Sequence, residues 1–211
     1  MGTDSVRIRG YEPGDLDDLY RICVQTADSG RDATALFSDP RLPGEIYAAP
    51  YGIFEPDLAF VAEDAEGVGG YVLGALDTAA FEDRLDRDWW PQVRLRHPEL
   101  RPDEAAGLSQ SEQLIRQNIQ QPWRAAEELA RRFPSHLHID LLPRLQGHGL
   151  GRRMMDVLIG ALRAKGSRGV HLFVSRTNDR AVSFYQRLGL TKLPIPDATI
   201  FVLDLTAPGG A

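Results

Sequence analysis

A turn with three glycines separates an apolar segment from a helical pattern late in the chain. The turn comprises Gln146, Gly147, His148, Gly149, Leu150, Gly151 and Arg152. Glycine permits backbone conformations that other residues resist, and it lets a ligand approach the main chain. The free N–H groups at the start of a helix, together with the helix dipole, favour an anion at such a place. The spacing therefore predicts an anion site, with positive charge added by Arg152 and Arg153.

Other interpretations of these glycines depend on spacing and position. A dinucleotide-binding fingerprint requires G-x-G-x-x-G near the first strand, and a Walker loop requires a Gly-Lys-Ser or Gly-Lys-Thr sequence. The pattern here is Q-x-x-G-x-G, and it begins only at Gln146. A purely structural glycine turn stays open from this segment alone.

A second motif follows some thirty residues downstream and has the sequence NDRAVSFYQRLGL, from Asn178 to Leu190. Together the two segments resemble the GNAT superfamily of N-acetyltransferases, in which Q/R-x-x-G-x-G/A is followed by N-x-x-A-x-x-F-Y-x-x-x-G-F. The resemblance implies a GNAT fold, with acetyl-coenzyme A (acetyl-CoA) or coenzyme A as the cofactor.

The resemblance also implies roles for individual residues. The implied cofactor-binding residues are Leu141, Leu142, Gln146, Gly147, His148, Gly149, Leu150, Gly151, Arg152, Asn178 and Tyr185. The amides of the glycine turn would hold the pyrophosphate, and the main chain of Leu141 would pair with the pantetheine arm as an added strand does. Asn178 would hydrogen-bond the coenzyme near its pantetheine. Tyr185 would lie beside the thioester sulfur and act as the general acid.

Further segments resemble a narrower group, the acetyltransferase-like C-terminal domain of O-GlcNAcase, over most of the chain. They include Arg7–Tyr11, Tyr20–Cys23, Gly70–Gly74, His138–Asp140 and Gly166–Gly169. The animal domain has lost the glycine turn and is regarded as a pseudo-acetyltransferase, whereas this sequence retains the glycines. The resemblance therefore favours a stand-alone, bacterial-type relative that binds acetyl-CoA.

Two functions follow from these resemblances. One is an N-acetyltransferase that passes an acetyl group directly to an amine, on either a small molecule or a protein or peptide. The other is a coenzyme-binding pseudo-acetyltransferase that acts as an interaction or sensing module.

Asp140 is the second candidate catalytic residue. It lies within an apolar strand, where a carboxylate is costly unless it is paired or functional. It could orient the substrate amine or accept its proton, or it could pair with a neighbouring arginine. His136 and His138 alternate with apolar residues, so both point to the same side of the strand as Asp140. They could relay a proton, although histidines in strands are more often packing residues.

The order of elements predicts an α/β (α+β) fold with a central mixed, mostly antiparallel sheet and helices on both faces. The predicted strands are Val6–Arg9, Leu58–Glu63, Gly70–Leu76, His136–Leu142, Gly169–Ser175 and Thr199–Leu205. The predicted helices begin at Pro13, near Gly44 in an otherwise irregular stretch 28–57, at Ser109, at Gly149 and at Asn178. One domain spans residues 1–211, with a helical insertion over about 78–132 before the fourth strand.

The insertion carries its own predictions. Ser109 and Glu112 have the spacing of a capping box, and Pro122 is predicted to kink or split a helical stretch that extends to Arg132. Phe81, Glu82, Trp89 and Trp90 either line an acceptor pocket or anchor the insertion to the sheet. The charged segment 83–96 is predicted to be a solvated face.

Composition limits the remaining classes. The chain has 211 residues, a net charge of -6 and a single cysteine, Cys23, so we expect no disulfide and no zinc or other metal site. The negative charge disfavours nucleic acid, and no apolar segment reaches the length of a bilayer, so no membrane partner is expected. These features favour a cytoplasmic protein, and a homodimer stays compatible with them.

Overall fold

The sheet organises the molecule. The computed structural model describes residues 6–195 and 198–206, and within them one sheet has the strand order β1-β2-β3-β4-β5-β7-β6. Its strands are β1 (Arg7–Gly10), β2 (Ala59–Asp64), β3 (Gly67–Ala75), β4 (Ser135–Leu141), β5 (Gly169–Val174), β6 (Thr191–Lys192) and β7 (Thr199–Asp204). All neighbours are antiparallel except β4 and β5. The predicted mixed, mostly antiparallel sheet is confirmed; the two-residue strand β6 was not predicted.

Helices cover both faces of this sheet, as predicted. The helices are α1 (Leu16–Val24), α2 (Leu42–Tyr47), α3 (Ala49–Phe54), α4 (Thr78–Arg84), α5 (Trp90–Arg96), α6 (Pro102–Ala105), α7 (Gln110–Gln120), α8 (Glu127–Arg132), α9 (Leu150–Ala164) and α10 (Asp179–Arg187). One apolar core joins α1–α3 and the insertion to the sheet, and the other joins α9 and α10 to its opposite face. Cys23 is buried in the first core as a free thiol. None of the described helices is long and apolar enough to cross a bilayer.

The parallel strands β4 and β5 separate soon after they meet. Their register pairs only Ser135 with Val170 and His136 with His171, although β4 continues beside β3 as far as Leu141. Leu142 N–H donates to the carbonyl of Gly69 at 2.8 Å on the β3 side. Because hydrogen-bonding direction alternates along an antiparallel strand, the main-chain groups of Leu141 and Ile139 face the gap between β4 and β5.

The helical insertion matches its prediction in part. Of the two outcomes predicted for the helical pattern from Ser109 to Arg132, a kink or a split at Pro122, the structure shows the split, because α7 ends at Gln120 and α8 begins at Glu127. Pro122 explains the break, since proline disfavours helical geometry in the residue before it. The predicted capping box is half formed. Ser109 accepts from Glu112 N–H, but the Glu112 carboxylate accepts from Ser38 and Arg116 instead.

Two segments predicted as irregular or solvated contain buried helices. In the stretch 28–57, two helices, α2 and α3, take the place of the single short helix that was predicted. Glycine lets α3 pack closely against its neighbours, because a Cβ at Gly52 would lie only 2.9 Å from Cζ of Tyr11. In the segment 83–96 the charged residues are mostly exposed, as is Leu95, but four apolar residues are buried against α1–α3 and the sheet. The buried residues are Leu85, Trp89, Trp90 and Val93.

Candidate active site

The glycine turn leaves a series of main-chain N–H groups without partners. Gly147 and Gly149 have φ angles of 92° and 75°, which glycine adopts without strain. The first hydrogen bond of α9 runs from Arg153 N–H to the carbonyl of Gly149, at 3.2 Å. Within the described residues, no acceptor lies within hydrogen-bonding distance of the N–H groups of residues 147–152. The start of α9 therefore has free N–H groups that could bind an anion.

Two side chains of the turn hold its own main chain. Gln146 Nε2 donates to the carbonyl of Leu141 at 2.6 Å, which ties the turn to the end of β4. His148 is exposed, and its Nδ1 lies 3.0 Å from the carbonyl of Gln146. For a ligand at the turn, these residues offer their main-chain N–H groups. The Leu141 carbonyl already accepts from Gln146, so the Leu141 N–H is the main-chain group that stays free toward the gap.

Gly151 and Arg152 both lie against α10. A Cβ at Gly151 would lie 3.1 Å from Cζ of Phe184, so this glycine lets α9 and α10 pack closely. The Arg152 guanidinium donates from Nη2 to the carbonyl of Arg187 at 2.9 Å, so it is partly engaged at the end of α10, and its contribution to the anion site stays a prediction. A side chain in the first turn of a helix can reach a neighbouring helix end, and the last carbonyls of α10 attract a cation there.

The side chains of Asn178 and Leu150 stabilise the fold. Asn178 Oδ1 accepts from Ala181 N–H at 3.0 Å and caps α10, so only the amide N–H groups of its side chain are left for a ligand. The Leu150 side chain is buried in the core, which leaves its main-chain N–H for the turn.

Tyr185 combines a buried ring with a free hydroxyl. The ring packs on Phe184 and Phe201, with centroids 5.2 and 5.6 Å away. Among the described residues the hydroxyl has no hydrogen-bond partner, yet no unpartnered side-chain N or O atom there is fully buried. The Tyr185 oxygen is therefore accessible. Burial, and then the charge of Asp140, raise the pKa of Tyr185, so the phenol is protonated and can donate at neutral pH.

Asp140 is held by a tyrosine on the neighbouring strand. Tyr71 O–H donates to Asp140 Oδ2 at 2.7 Å, and the register places the two residues opposite each other. Burial raises the pKa of Asp140 to about 6, although the hydrogen bond from Tyr71 lowers it. No ion pair joins Asp140 to an arginine among the described residues, so that alternative is wrong. A carboxyl group with this pKa can exchange a proton near neutral pH.

A cavity of about 330 Å³ opens where β4 and β5 separate, beneath the insertion. Its aromatic walls are Tyr47, Tyr51, Phe81, Trp90, Trp123 and Phe173. Phe81, Glu82 and Trp90 line the cavity, as one of the two sequence interpretations expected. Trp89 agrees with the other interpretation, because its indole N–H donates to the carbonyl of Glu45 at 2.9 Å and so anchors the insertion to α2.

Three histidines line the same cavity. His136 and His138 share the hydroxyl of Tyr51, and His171 Nδ1 lies 2.7 Å from the carbonyl of Phe133. Burial is the largest cause that lowers the pKa of each of them, and it brings that of His138 to about 4. All three are therefore neutral at physiological pH. Sequence reasoning did not single out Tyr51, Tyr71 or His171.

We expect this histidine cluster to weaken folding in mild acid. Below about pH 6.5 the unfolded chain binds protons that the folded histidines do not yet bind, and folded His138 takes up its proton only near pH 4. The free energy of unfolding therefore falls as the pH drops through that window. The shift of His138 alone corresponds to roughly 3 kcal/mol. Asp140 offsets part of this loss, because its raised pKa makes the folded chain take up a proton below about pH 6.

Urea unfolding at several pH values checks this expectation. His138→Gln should flatten the loss of stability between about pH 6.5 and 4 relative to the unsubstituted chain. A free energy of unfolding that is constant over this window would contradict the neutral, buried cluster.

Within the described residues, no group of three or more His, Cys, Asp or Glu side chains could hold a metal ion.

Comparison with known proteins identifies the family. The acetyltransferase (GNAT) family model matches residues 119–190, which include β4, the glycine turn, α9, β5 and α10. The chain belongs to this family of acetyltransferases, as the two sequence motifs indicated.

Individual relatives agree with this assignment. The chain is 29% identical over 182 residues to the O-GlcNAcases of Rattus norvegicus and Mus musculus; the match covers 86% of this chain but only a fifth of those enzymes (20%). The solved structure of SsHAT is 38% identical, with a TM-score of 0.86, over 95% of this chain and 98% of SsHAT.

A more distant structure shares the fold and carries the predicted cofactor. It is yncA of Salmonella typhimurium, determined with acetyl-CoA, at 15% identity and a TM-score of 0.56 over 98% of both chains. The predicted α/β GNAT fold is confirmed by these likenesses.

Proposed function

We propose that the chain is an acetyl-CoA-dependent N-acetyltransferase that transfers the acetyl group directly to an amine. The observation that carries this proposal is the set of free main-chain N–H groups at residues 147–152, since a diphosphate is the kind of anion that such a helix start binds. In this proposal the coenzyme extends from the turn along the gap between β4 and β5, past the main chain of Leu141, toward the Tyr185 hydroxyl, on which the charge of Asp140 of β4 acts. The acetyl-CoA bound to yncA supports the same cofactor.

The residues around the gap suit acyl transfer. The thioester of acetyl-CoA supplies the activated acetyl group, and Leu141 N–H is available to polarise its carbonyl oxygen. As the amine nitrogen forms a bond to the carbonyl carbon and the carbon–sulfur bond breaks, Tyr185 donates its proton to the departing sulfur. Asp140, held by Tyr71, orients the incoming amine. No acetyl group has to be bonded to the protein in this direct transfer.

The cavity favours a small amine with an aromatic or apolar group. A volume of about 330 Å³ is at the lower end for small-molecule sites, and its walls are mainly aromatic. Such a volume admits a side group of limited size rather than a folded segment of a protein. The acceptor amine would extend from this cavity toward the gap.

Calorimetric titration with acetyl-CoA tests the cofactor. We expect binding at one site per chain, with weaker binding in high salt because the pyrophosphate is charged. Absence of binding would overturn both the enzyme and a coenzyme-binding pseudo-enzyme.

Trp123→Ala tests the acceptor cavity. Trp123 is 58% exposed, lines the cavity and packs against Phe173 with ring centroids 4.5 Å apart. We expect the KM of an aromatic amine to rise roughly 5- to 10-fold, since an aromatic contact contributes about 1 kcal/mol, while acetyl-CoA affinity stays the same. Leu114→Ala is the matched control, because Leu114 is 59% exposed and does not line the cavity. An equal change in both variants would exclude this role for the cavity.

A further inference from the structure

A chain of hydrogen bonds leads from the cavity into the protein. His138 Nε2 lies 3.1 Å from Tyr51 Oη, and Tyr51 Oη lies 2.8 Å from His136 Nε2. His136 Nδ1 lies 2.8 Å from Thr78 Oγ1. The chain ends at the carbonyl oxygen of Pro134, which is 2.8 Å from Thr78 Oγ1. Three segments distant in sequence, α3, α4 and β4, are thus joined behind His138.

The Pro134 carbonyl, at the end of this series of hydrogen bonds, determines the direction of each of them. A carbonyl oxygen can only accept, so Thr78 donates its one hydroxyl hydrogen to Pro134. His136 must then donate to Thr78 from Nδ1, and because the ring is neutral its Nε2 accepts from the Tyr51 hydroxyl. The Tyr51 oxygen in turn accepts from the Nε2–H of His138. Neutral His138 is left with an unshared electron pair on Nδ1.

This free nitrogen of His138 is accessible in the cavity. Within the described residues, His138 Nδ1 has no hydrogen-bond partner, and no unpartnered side-chain N or O atom is fully buried. His136 and His171 belong to the last paired positions of β4 and β5, whereas His138 is the histidine beyond them. His138 therefore stands where the cavity meets the opening gap.

We propose that His138 is the general base of the acetyl transfer, with Tyr51, His136 and Thr78 as positioning residues that keep its Nδ1 unprotonated. This inference rests on the proposed acetyltransferase function. The amine nitrogen passes a proton to His138 Nδ1 as it bonds to the carbonyl carbon, while the sulfur leaves with the proton of Tyr185. Exchange with solvent returns both side chains to their starting state, so one amine and one thioester give one amide and one thiol.

The surroundings of His138 keep the base neutral at working pH. The titratable groups on the elements packed around it are Tyr47 of α2, Tyr51 of α3, Glu82 of α4, His136 of β4 and His171 of β5. Glu82 is engaged with Arg124 and with Ala125 N–H, so it does not supply a free carboxylate.

Nitrogen NMR of the free protein tests the positioning chain directly. At about pH 7, His138 should show a protonated Nε2 and an unprotonated Nδ1, and His136 the reverse. The signals of His138 are assigned from their loss in His138→Gln. An Nδ1–H form or a cationic ring at His138 would overturn the proposal, whether or not the protein turns over an amine.

Kinetics with an amine that the unsubstituted enzyme acetylates test the base. His138→Gln keeps an N–H donor for Tyr51 but has no basic nitrogen, so kcat should fall about 100-fold with unchanged acetyl-CoA affinity. The deficit should narrow as pH rises, because solvent takes over removal of the amine proton, and a merely structural residue would not show this. His97→Gln is the matched control, because His97 is also a buried histidine but does not line the cavity, and it should retain most activity. A full kcat in His138→Gln, or an equal loss in His97→Gln, would refute the assignment. No turnover by the unsubstituted protein would instead count against the proposed function itself.

Discussion

Tyr185→Phe is expected to lower kcat about 100- to 1,000-fold while leaving acetyl-CoA affinity and the KM of the amine nearly unchanged. The hydroxyl of Tyr185 makes no hydrogen bond within the described residues, so its removal breaks no contact of the folded chain. The phenylalanine ring can keep the packing against Phe184 and Phe201. The loss should therefore appear in the chemical step, where the thiolate leaves without a proton donor.

Steady-state thiol release measures this effect, and thermal unfolding confirms that the variant is folded. Tyr20→Phe provides the control, because Tyr20 is also a buried tyrosine but contacts Arg41 and the second helix, away from the gap. A Tyr185→Phe enzyme with an unaltered kcat would remove the tyrosine from the mechanism.

Replacement of Gly149 is expected to separate helix stability from coenzyme affinity. Gly149 is the N-cap of α9 with a φ of 75°, a conformation that Asn and Asp tolerate better than other side chains. Asp at an N-cap stabilises a helix at least as well as Asn, because its charge complements the helix dipole. The same charge opposes a pyrophosphate at the free N–H groups of the turn.

Gly149→Asp should therefore bind acetyl-CoA roughly 10- to 100-fold more weakly than Gly149→Asn, although it unfolds at the same or a higher temperature. The pair differs only in charge, so strain at the positive φ cancels in the comparison. Calorimetric titration at low salt measures the ratio, which should shrink as salt screens the repulsion. Equal affinities of the two variants would place the pyrophosphate elsewhere.

The glycine turn and Tyr185 were predictable because their requirements are local. Gly147 and Gly149 adopt positive φ angles that few other residues accept, and the spacing of the two motifs indicates the superfamily in which Tyr185 has its implied role. Asp140 was conspicuous for a similar reason, since a carboxylate within an apolar strand calls for an explanation.

The partners of these residues were not predictable, because they depend on strand register and on helix packing. Tyr71 meets Asp140 only because β3 and β4 pair in one register, across 69 residues of sequence. Tyr51 reaches His136 from a helix in a stretch rich in glycine and proline. The hydrogen bond from the Arg152 guanidinium to the end of α10 was likewise not predictable from its place in the turn.

The measurement that bears most directly on the central claim is thiol release from acetyl-CoA in the presence and absence of small aromatic and aliphatic amines. The structure predicts a rate that depends on the amine, with one acetylated amine formed for each thiol and a preference for amines whose apolar group fits the cavity. Acetyl-CoA that binds but yields thiol at the same slow rate with every amine, and equally in Tyr185→Phe, would contradict the enzyme and favour a coenzyme-binding pseudo-acetyltransferase.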